Sequence, residues 1–277
     1  MADLEFRRDL YRGAAQDYDR FRVPYPPALI EDLARRTGAD GTGRLLDLAC
    51  GTGQITFALH DRFAGVWAVD QEPDMTAAVE AKAQAAGIGT IRTLTSSAQD
   101  LAAPDDSFDL VAMGNAFHRL PRAAVASNAL RWLKPGGNLA LLWGGGPGAG
   151  DAPGAGGALW QHALDAVRDR WLDRAGTGAR VPAGYAGDRR DRPDRVVLKE
   201  AGFQPIGRYE FAIEHEWTPG ELIGFLYSTS TLSRAALGAL APEFEADVRR
   251  ELLSCEPTSR LHQTIVFAYE LVRRTVR

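Results

Sequence analysis

Between Arg44 and Trp143, short apolar runs alternate with stretches of helical pattern, and this alternation limits the fold more than any other feature of the chain. Arg44–Leu48, Gly65–Val69, Thr90–Leu94, Phe108–Met113 and Asn138–Trp143 read as strands, and Gln54–Arg62, Asp74–Ala86 and Arg122–Trp132 as the helices between them. Lys134-Pro135-Gly136-Gly137 reads as a turn that stops the third helix. Strands apolar on both faces need helices on both faces, joined by right-handed crossovers. The predicted fold class is therefore α/β: a doubly wound, seven-stranded, mostly parallel sheet with an antiparallel edge strand and a helical lid.

The remaining segments differ in composition. Residues 1–43 form a Tyr-, Arg- and Pro-rich segment expected to be a helical lid. Residues 144–157 hold eight glycines in fourteen positions and read as a flexible linker. Residues 158–277 would complete the sheet with strands at 203–215 and 261–272, around a helical insertion at about 218–254. Thr218-Pro219-Gly220-Glu221 has the form of a capping box at the insertion's start, and residues 173–195 read as loop.

With 45% hydrophobic residues in 277, the chain has enough apolar mass for a packed core. A net charge of −4 gives no basic field for nucleic acid or anionic lipid. No apolar run approaches the roughly 20 residues that span a bilayer, and MADLEFRRDLYRG lacks a signal-peptide core. Cys50 and Cys255 are too few for a disulfide framework or a four-cysteine zinc site. A cytoplasmic protein without metal, monomeric or homodimeric, is expected.

The run Leu45-Leu46-Asp47-Leu48-Ala49-Cys50-Gly51-Thr52-Gly53-Gln54 carries the chemistry. A buried strand feeds a small-residue turn, and a helix begins at once, which lets a ligand approach the backbone and a helix N-terminus. A dinucleotide site would want a third glycine where Thr56 stands, and a phosphate-binding P-loop would want Lys-Ser/Thr. Asp70 ends the second strand, where a carboxylate can accept bonds from ribose hydroxyls. A nucleoside without phosphates fits better than a dinucleotide.

Asp47–Gly53 (D-L-A-C-G-T-G), Val69-Asp70, Pro104–Val111 (P-D-D-S-F-D-L-V) and Leu133–Gly137 (L-K-P-G-G) together resemble the class I S-adenosylmethionine-dependent methyltransferases, in order and in spacing. The start Ala14–Pro26 is similar to the lid entry of their small-molecule branch. The resemblance implies a cofactor-binding core at 44–143 and S-adenosyl-L-methionine as cofactor. Ala49, Gly51, Gly53 and Gln54 would hold its methionine part and Asp70 its ribose. Gln71 and Met75 would flank the adenine, with Ala98 and Gln99 at its edge. Asn115 would face the sulfonium, and Tyr18 and Arg22 would reach the carboxylate. Ala49 departs from the commoner first glycine and Gln71 from the usual apolar residue.

The implied activity is methyl transfer to O or N of a small molecule, in a tailoring step such as natural-product or antibiotic biosynthesis. C-methylation of a quinone-like acceptor, a non-methylating pseudo-enzyme or pericyclase that keeps the cofactor, and a non-catalytic nucleotide-binding regulator are the alternatives. His118 is the candidate catalytic base, since an imidazole titrates near pH 7; packing at a helix start accounts for it equally well. Trp143, Trp160, Trp171, Trp217, Phe225 and Tyr227 could wall an acceptor pocket, though core packing explains most of them. Glu210, Glu214 and Glu216 suggest a cationic acceptor such as an aminosugar, and His215 between acids suggests a solvated rim rather than a metal ligand.

Overall fold

The computed structural model describes residues 6–148 and 157–276. Helices α1 (Ala15–Phe21) and α2 (Pro27–Thr37) precede the first strand. The alternation then runs β1 (Arg44–Leu48), α3 (Gln54–Leu59), β2 (Gly65–Asp70), α4 (Pro73–Ala85), β3 (Ile91–Thr95), β4 (Phe108–Gly114), α5 (Arg122–Trp132) and β5 (Leu133–Trp143). Every strand and helix predicted in this stretch is present, with shifts of a few residues. After it come α6 (Leu159–Arg174), α7 (Tyr185–Asp191), α8 (Asp194–Glu200), β6 (Gln204–Trp217), α9 (Pro219–Tyr227), α10 (Arg234–Leu237), α11 (Ala241–Cys255) and β7 (Leu261–Arg273).

The sheet has seven strands in the order β3-β2-β1-β4-β5-β7-β6, with β1 to β5 parallel. β7 runs antiparallel to both β5 and β6, so the β6–β7 pair makes the antiparallel edge and β7 is the reversed strand within it. Adjacent residues of each central strand face opposite layers. Leu45, Leu110, Ala112 and Leu142 pack with α2, α3 and the helices of the second half; Leu46, Val111, Met113 and Leu141 pack with α5 and α8. Burial on both faces is what made these strands read as unbroken apolar runs.

Strand order reverses between β1 and β4, so their carboxyl ends open a crevice where ligands of such sheets bind. The β6–β7 ribbon reaches over that edge. Trp143, the last residue of β5, pairs with Ala268, while β7 continues outward to Leu261 against Trp217. The ribbon delivers α9 to α11 there. The capping box forms as expected: Glu221 N–H donates to Thr218 Oγ1 (3.2 Å), and Thr218 N–H to Glu221 Oε2 (2.8 Å). α1 lies so close on α9 that a Cβ at Gly224 would sit 2.3 Å from the Phe21 ring. Asp247 of α11 accepts from Trp171 Nε1 (2.8 Å), tying α11 to α6.

Three expectations change. Lys134–Gly137 is not a free turn but the irregular start of β5: Phe108 pairs with Leu133 while Leu110 pairs with Asn138, and the intervening residues bulge. Residues 173–195 are not all loop, since a short helical turn at Thr177–Arg180 and α7 lie within them. Their order comes from tertiary bonds, with Arg180 donating to the Asp9 and Leu10 carbonyls (3.3 and 3.2 Å) and Tyr185 set edge-on to Phe6 (5.4 Å). Finally, α2 packs under the sheet through Leu29 and Leu33, both fully buried, so among the described residues of the predicted lid only 6–26 belong to the cover. Most of the predicted glycine linker, residues 149–156, lies outside the described residues. Among the described residues, no helix is long and apolar enough to cross a membrane.

Candidate active site

The turn after β1 is made by left-handed backbone at Ala49, Gly51 and Gly53 (φ 58°, 54° and 89°). At Gly53 a side chain is excluded twice over: φ is positive, and a Cβ would lie 2.9 Å from the Phe57 ring and 3.0 Å from Val79. Cys50 N–H donates to Val69 O (3.0 Å), Gly51 N–H to Asp70 Oδ2 (2.9 Å) and Gly53 N–H to Cys50 O (2.9 Å). A phosphate-binding turn keeps such donors free for its ligand. Here they are spent within the protein, one of them on a carboxylate.

Asp70 is 9% exposed, and its second oxygen accepts from Glu72 N–H (3.0 Å). Burial raises its pKa; the backbone N–H bonds from Glu72 and Gly51 oppose the rise. Each oxygen retains capacity for one more donor, which is what a ribose diol offers.

Asp70 faces a first cleft, whose walls also include Tyr18, Ala49, Gly51, Gln71, Met75, Ala98 and Asn115 from the predicted set. Gln54 lies behind it, lining a recess of about 10 Å³ with Tyr25 and Asp47. Gly53 packs rather than lines. Gln99 stands outside the wall and Ser96 takes its place, because Ser97 Oγ closes the local turn on Asp100 (2.7 Å). The sequence reading missed Phe6, Leu10 and Tyr11, which roof this cleft, and also Glu72 and Arg119.

It also missed Asp47, whose signal was an acid inside an otherwise apolar strand. Asp47 is 1% exposed. Its Oδ2 accepts from Thr56 N–H (2.8 Å) and Thr56 Oγ1 (2.6 Å), while Oδ1 has no partner. Burial pushes its carboxyl up to about 7. Glu72 in the first cleft likewise has a buried, unpartnered Oε1, and burial raises its carboxyl. Acceptors without donors on this side suit a ligand rich in hydroxyl and ammonium groups, the donor set of S-adenosylmethionine.

A second cleft of about 470 Å³ opens on the other side of Asn115 and Ala116, which line both. Its floor is apolar, with Met113, Leu141, Trp143 and Val266. Asn115 has φ 51° and is held by Gly144: its Nδ2 donates to Gly144 O (3.2 Å), and its Oδ1 accepts from Gly144 N–H (3.3 Å). Nδ2 also lies 3.4 Å from Tyr25 Oη. The partition between the clefts is therefore fixed from β5 and from the lid entry.

His118 and Arg22 line the second cleft and not the first. His118 Nε2 accepts from Arg119 Nε (3.2 Å), and burial with the charges of Arg119, Arg189 and Arg122 pushes its pKa down to about 3. An imidazole so placed is neutral and weakly basic, which does not suit the predicted proton acceptor. Burial raises the Cys50 thiol well above its usual range, so it is no nucleophile. Trp160, Trp171, Trp217, Phe225 and Tyr227 are core residues; of the predicted aromatic wall only Trp143 faces the second cleft. Glu214 and Glu216 lie outside both clefts, and Glu210 is paired with Arg208 (2.8 Å), which removes the argument for a cationic acceptor. His215 packs against the Trp217 ring (4.4 Å), and no metal-binding cluster occurs among the described residues.

Residues 45–137 match a family model described as a methyltransferase domain. An uncharacterized methyltransferase of Mycobacterium tuberculosis is 33% identical over 140 residues, which are 50% of this chain and 54% of that protein. The chain thus spans about half the length of these curated relatives. A trans-aconitate 2-methyltransferase of Mycobacterium sp. (strain KMS) is 28% identical over 238 residues, covering 80% of this chain and 81% of that one. Among solved structures, a protein of Anaeromyxobacter dehalogenans classed as a type II methyltransferase superposes with a TM-score of 0.57 at 21% identity, over 92% of this chain and 98% of its own. With the strand order, the spent donors of the glycine turn and Asp70 beside it, these matches show a methyltransferase domain over residues 45–137 and support a class I S-adenosylmethionine-dependent methyltransferase.

Proposed function

We propose that this protein transfers a methyl group from S-adenosyl-L-methionine to an oxygen or nitrogen of a small molecule. The observation that carries this reading is the meeting of two clefts at Asn115 and Ala116, one built around Asp70 and the other about 470 Å³ with an apolar floor and charged walls, a volume suited to a small acceptor. Similarity to the trans-aconitate enzyme over most of the chain supports a small-molecule acceptor.

The cofactor supplies an activated methyl on a sulfonium, so the chain's work is binding, alignment and exclusion of water. Asp70 would accept the ribose hydroxyls, Met75 and Ala98 would contact the adenine, and Asp47 and Gln54 would meet the amino-acid end. Tyr18 of α1, with the Phe6–Tyr11 segment, covers the first cleft. Fixing donor and acceptor in line can supply on the order of 7–11 kcal/mol of the barrier. His118 is a poor proton acceptor, which favours nucleophiles that arrive deprotonated or neutral.

Calorimetry with S-adenosylhomocysteine tests this. One-to-one binding, with no heat from NADH, is expected, followed by S-adenosylhomocysteine formation in an acceptor panel. Tight NADH binding without a response to either sulfur nucleoside would overturn the reading.

A further inference from the structure

The second cleft contains a cation whose protein partners are all neutral. Arg22 follows α1 and is half-buried. Its guanidinium lies between two rings, 4.7 Å from the Tyr18 centroid and 4.5 Å from that of Phe225. Nε donates to Ser228 Oγ (2.7 Å) and Nη2 to Ser228 O (3.2 Å). Ser228 is fully buried, and its own hydroxyl proton goes to Phe225 O (2.6 Å). Arg22 is thus held rigidly at the carboxyl end of α9, but no carboxylate pairs with it among the described residues. A half-buried charge without a counter-charge costs free energy unless a ligand completes it. The other N–H groups of its planar fork remain for that ligand.

Its position selects which ligand. Arg22 lines the second cleft beside Asn115 and Trp143, and is absent from the walls of the first cleft and of the recess behind it. The other charged groups of the second cleft have counter-charges near them. Arg189 is 3.7 Å from Asp194, Arg208 pairs with Glu210, and Arg195 and Arg208 both act on Glu270. We propose that Arg22 anchors an anionic oxygen group of the methyl acceptor, a carboxylate or phosphate, close to the atom that is methylated, rather than the carboxylate of the cofactor. This deepens the methyl-transfer reading and rests on it.

The test separates the two. Wild-type protein is first titrated with S-adenosylhomocysteine; failure to bind refutes the methyl-transfer reading itself. The loaded protein is then screened by ligand-observed NMR with small aromatic and aliphatic carboxylates, their phosphate-ester counterparts and the matching uncharged amides. At least one anion should bind tenfold or more tightly than its amide, and the carboxylate and phosphate arms identify the group. R22Q should level that preference while changing the S-adenosylhomocysteine Kd by less than threefold. R22K, which keeps the charge but not the fork, should retain part of the preference, and S228A should reduce it by loosening the guanidinium. Equal binding of anions and amides, no anion bound at all, or a tenfold loss of cofactor affinity in R22Q with anion preference intact would each overturn the proposal. Thermal melts of each variant exclude loss of fold as the cause.

Discussion

The two clefts are built in different ways. The first gathers residues at the carboxyl ends of β1 to β4, with Ala49 and Gly51 from the glycine turn, Asp70 and Met75 from the next unit, Ser96 and Ala98 after β3 and Asn115 after β4, under a roof from Phe6 to Tyr18. Its floor at the turn after β1 is set by backbone, through left-handed residues and N–H groups already bonded within the protein. The second is assembled from side chains of β4, β5, β6 and β7, with α7, α8 and the lid entry. Backbone-built geometry tolerates little change and serves a fixed ligand; side-chain-built geometry can change while the fold stays. The contrast fits a constant cofactor and a variable acceptor.

The sharpest break of this contrast is at Asp70. Asp70→Ala should weaken S-adenosylhomocysteine binding by about 100-fold or more in calorimetry, because charge-assisted bonds of about 1.5–3 kcal/mol each are lost and Gly51 N–H is left without its partner. A change below tenfold would place the ribose elsewhere. Gly53→Ala should come next. It forces a left-handed alanine against Phe57 and Val79, and a loss of about 2–3 kcal/mol is expected in urea unfolding.

Asp47 gives a pH signature. Its folded-state value, about 7, is above its usual one, so its contribution is full below about pH 4 and is lost as pH rises through 7. Wild-type protein without ligand should therefore lose stability from this group between pH 5 and 8, on the order of 3 kcal/mol. Asp47→Asn should lack that slope, and identical slopes in urea titrations would refute the assignment. The smallest effect is expected in the second cleft: His118→Ala should keep turnover within about threefold and leave the pH profile between 6 and 8 unchanged. A collapse of turnover with intact cofactor binding would restore His118 as a base.

Much of this was legible in the chain. The alternation from Arg44 to Trp143 predicted each strand and helix there, because strands buried on both faces leave a distinctive apolar run. Eight of the predicted site residues line the first cleft, most of them at or just after the carboxyl ends of the parallel strands, where ligands of such sheets bind. Gln99 shows the limit: one residue of offset after a strand moves a side chain out of the wall. Arg22 shows another, because its sequence neighbours place it on the lid but not on one side of the partition. Ser228, which fixes it, is 206 residues away.

The sequence by itself determined the layered fold, the glycine turn and the carboxylate at the end of β2, all of which depend on neighbours a few residues apart. Only the tertiary structure decided that Phe6, Leu10 and Tyr11 roof the first cleft, that His118 is bound to Arg119 as a neutral ring, and that Arg22 faces the second cleft with a buried serine as its partner. The physical reason is range. Backbone conformation and strand burial are written locally, whereas the state of a charge depends on what the whole fold brings within a few ångströms of it.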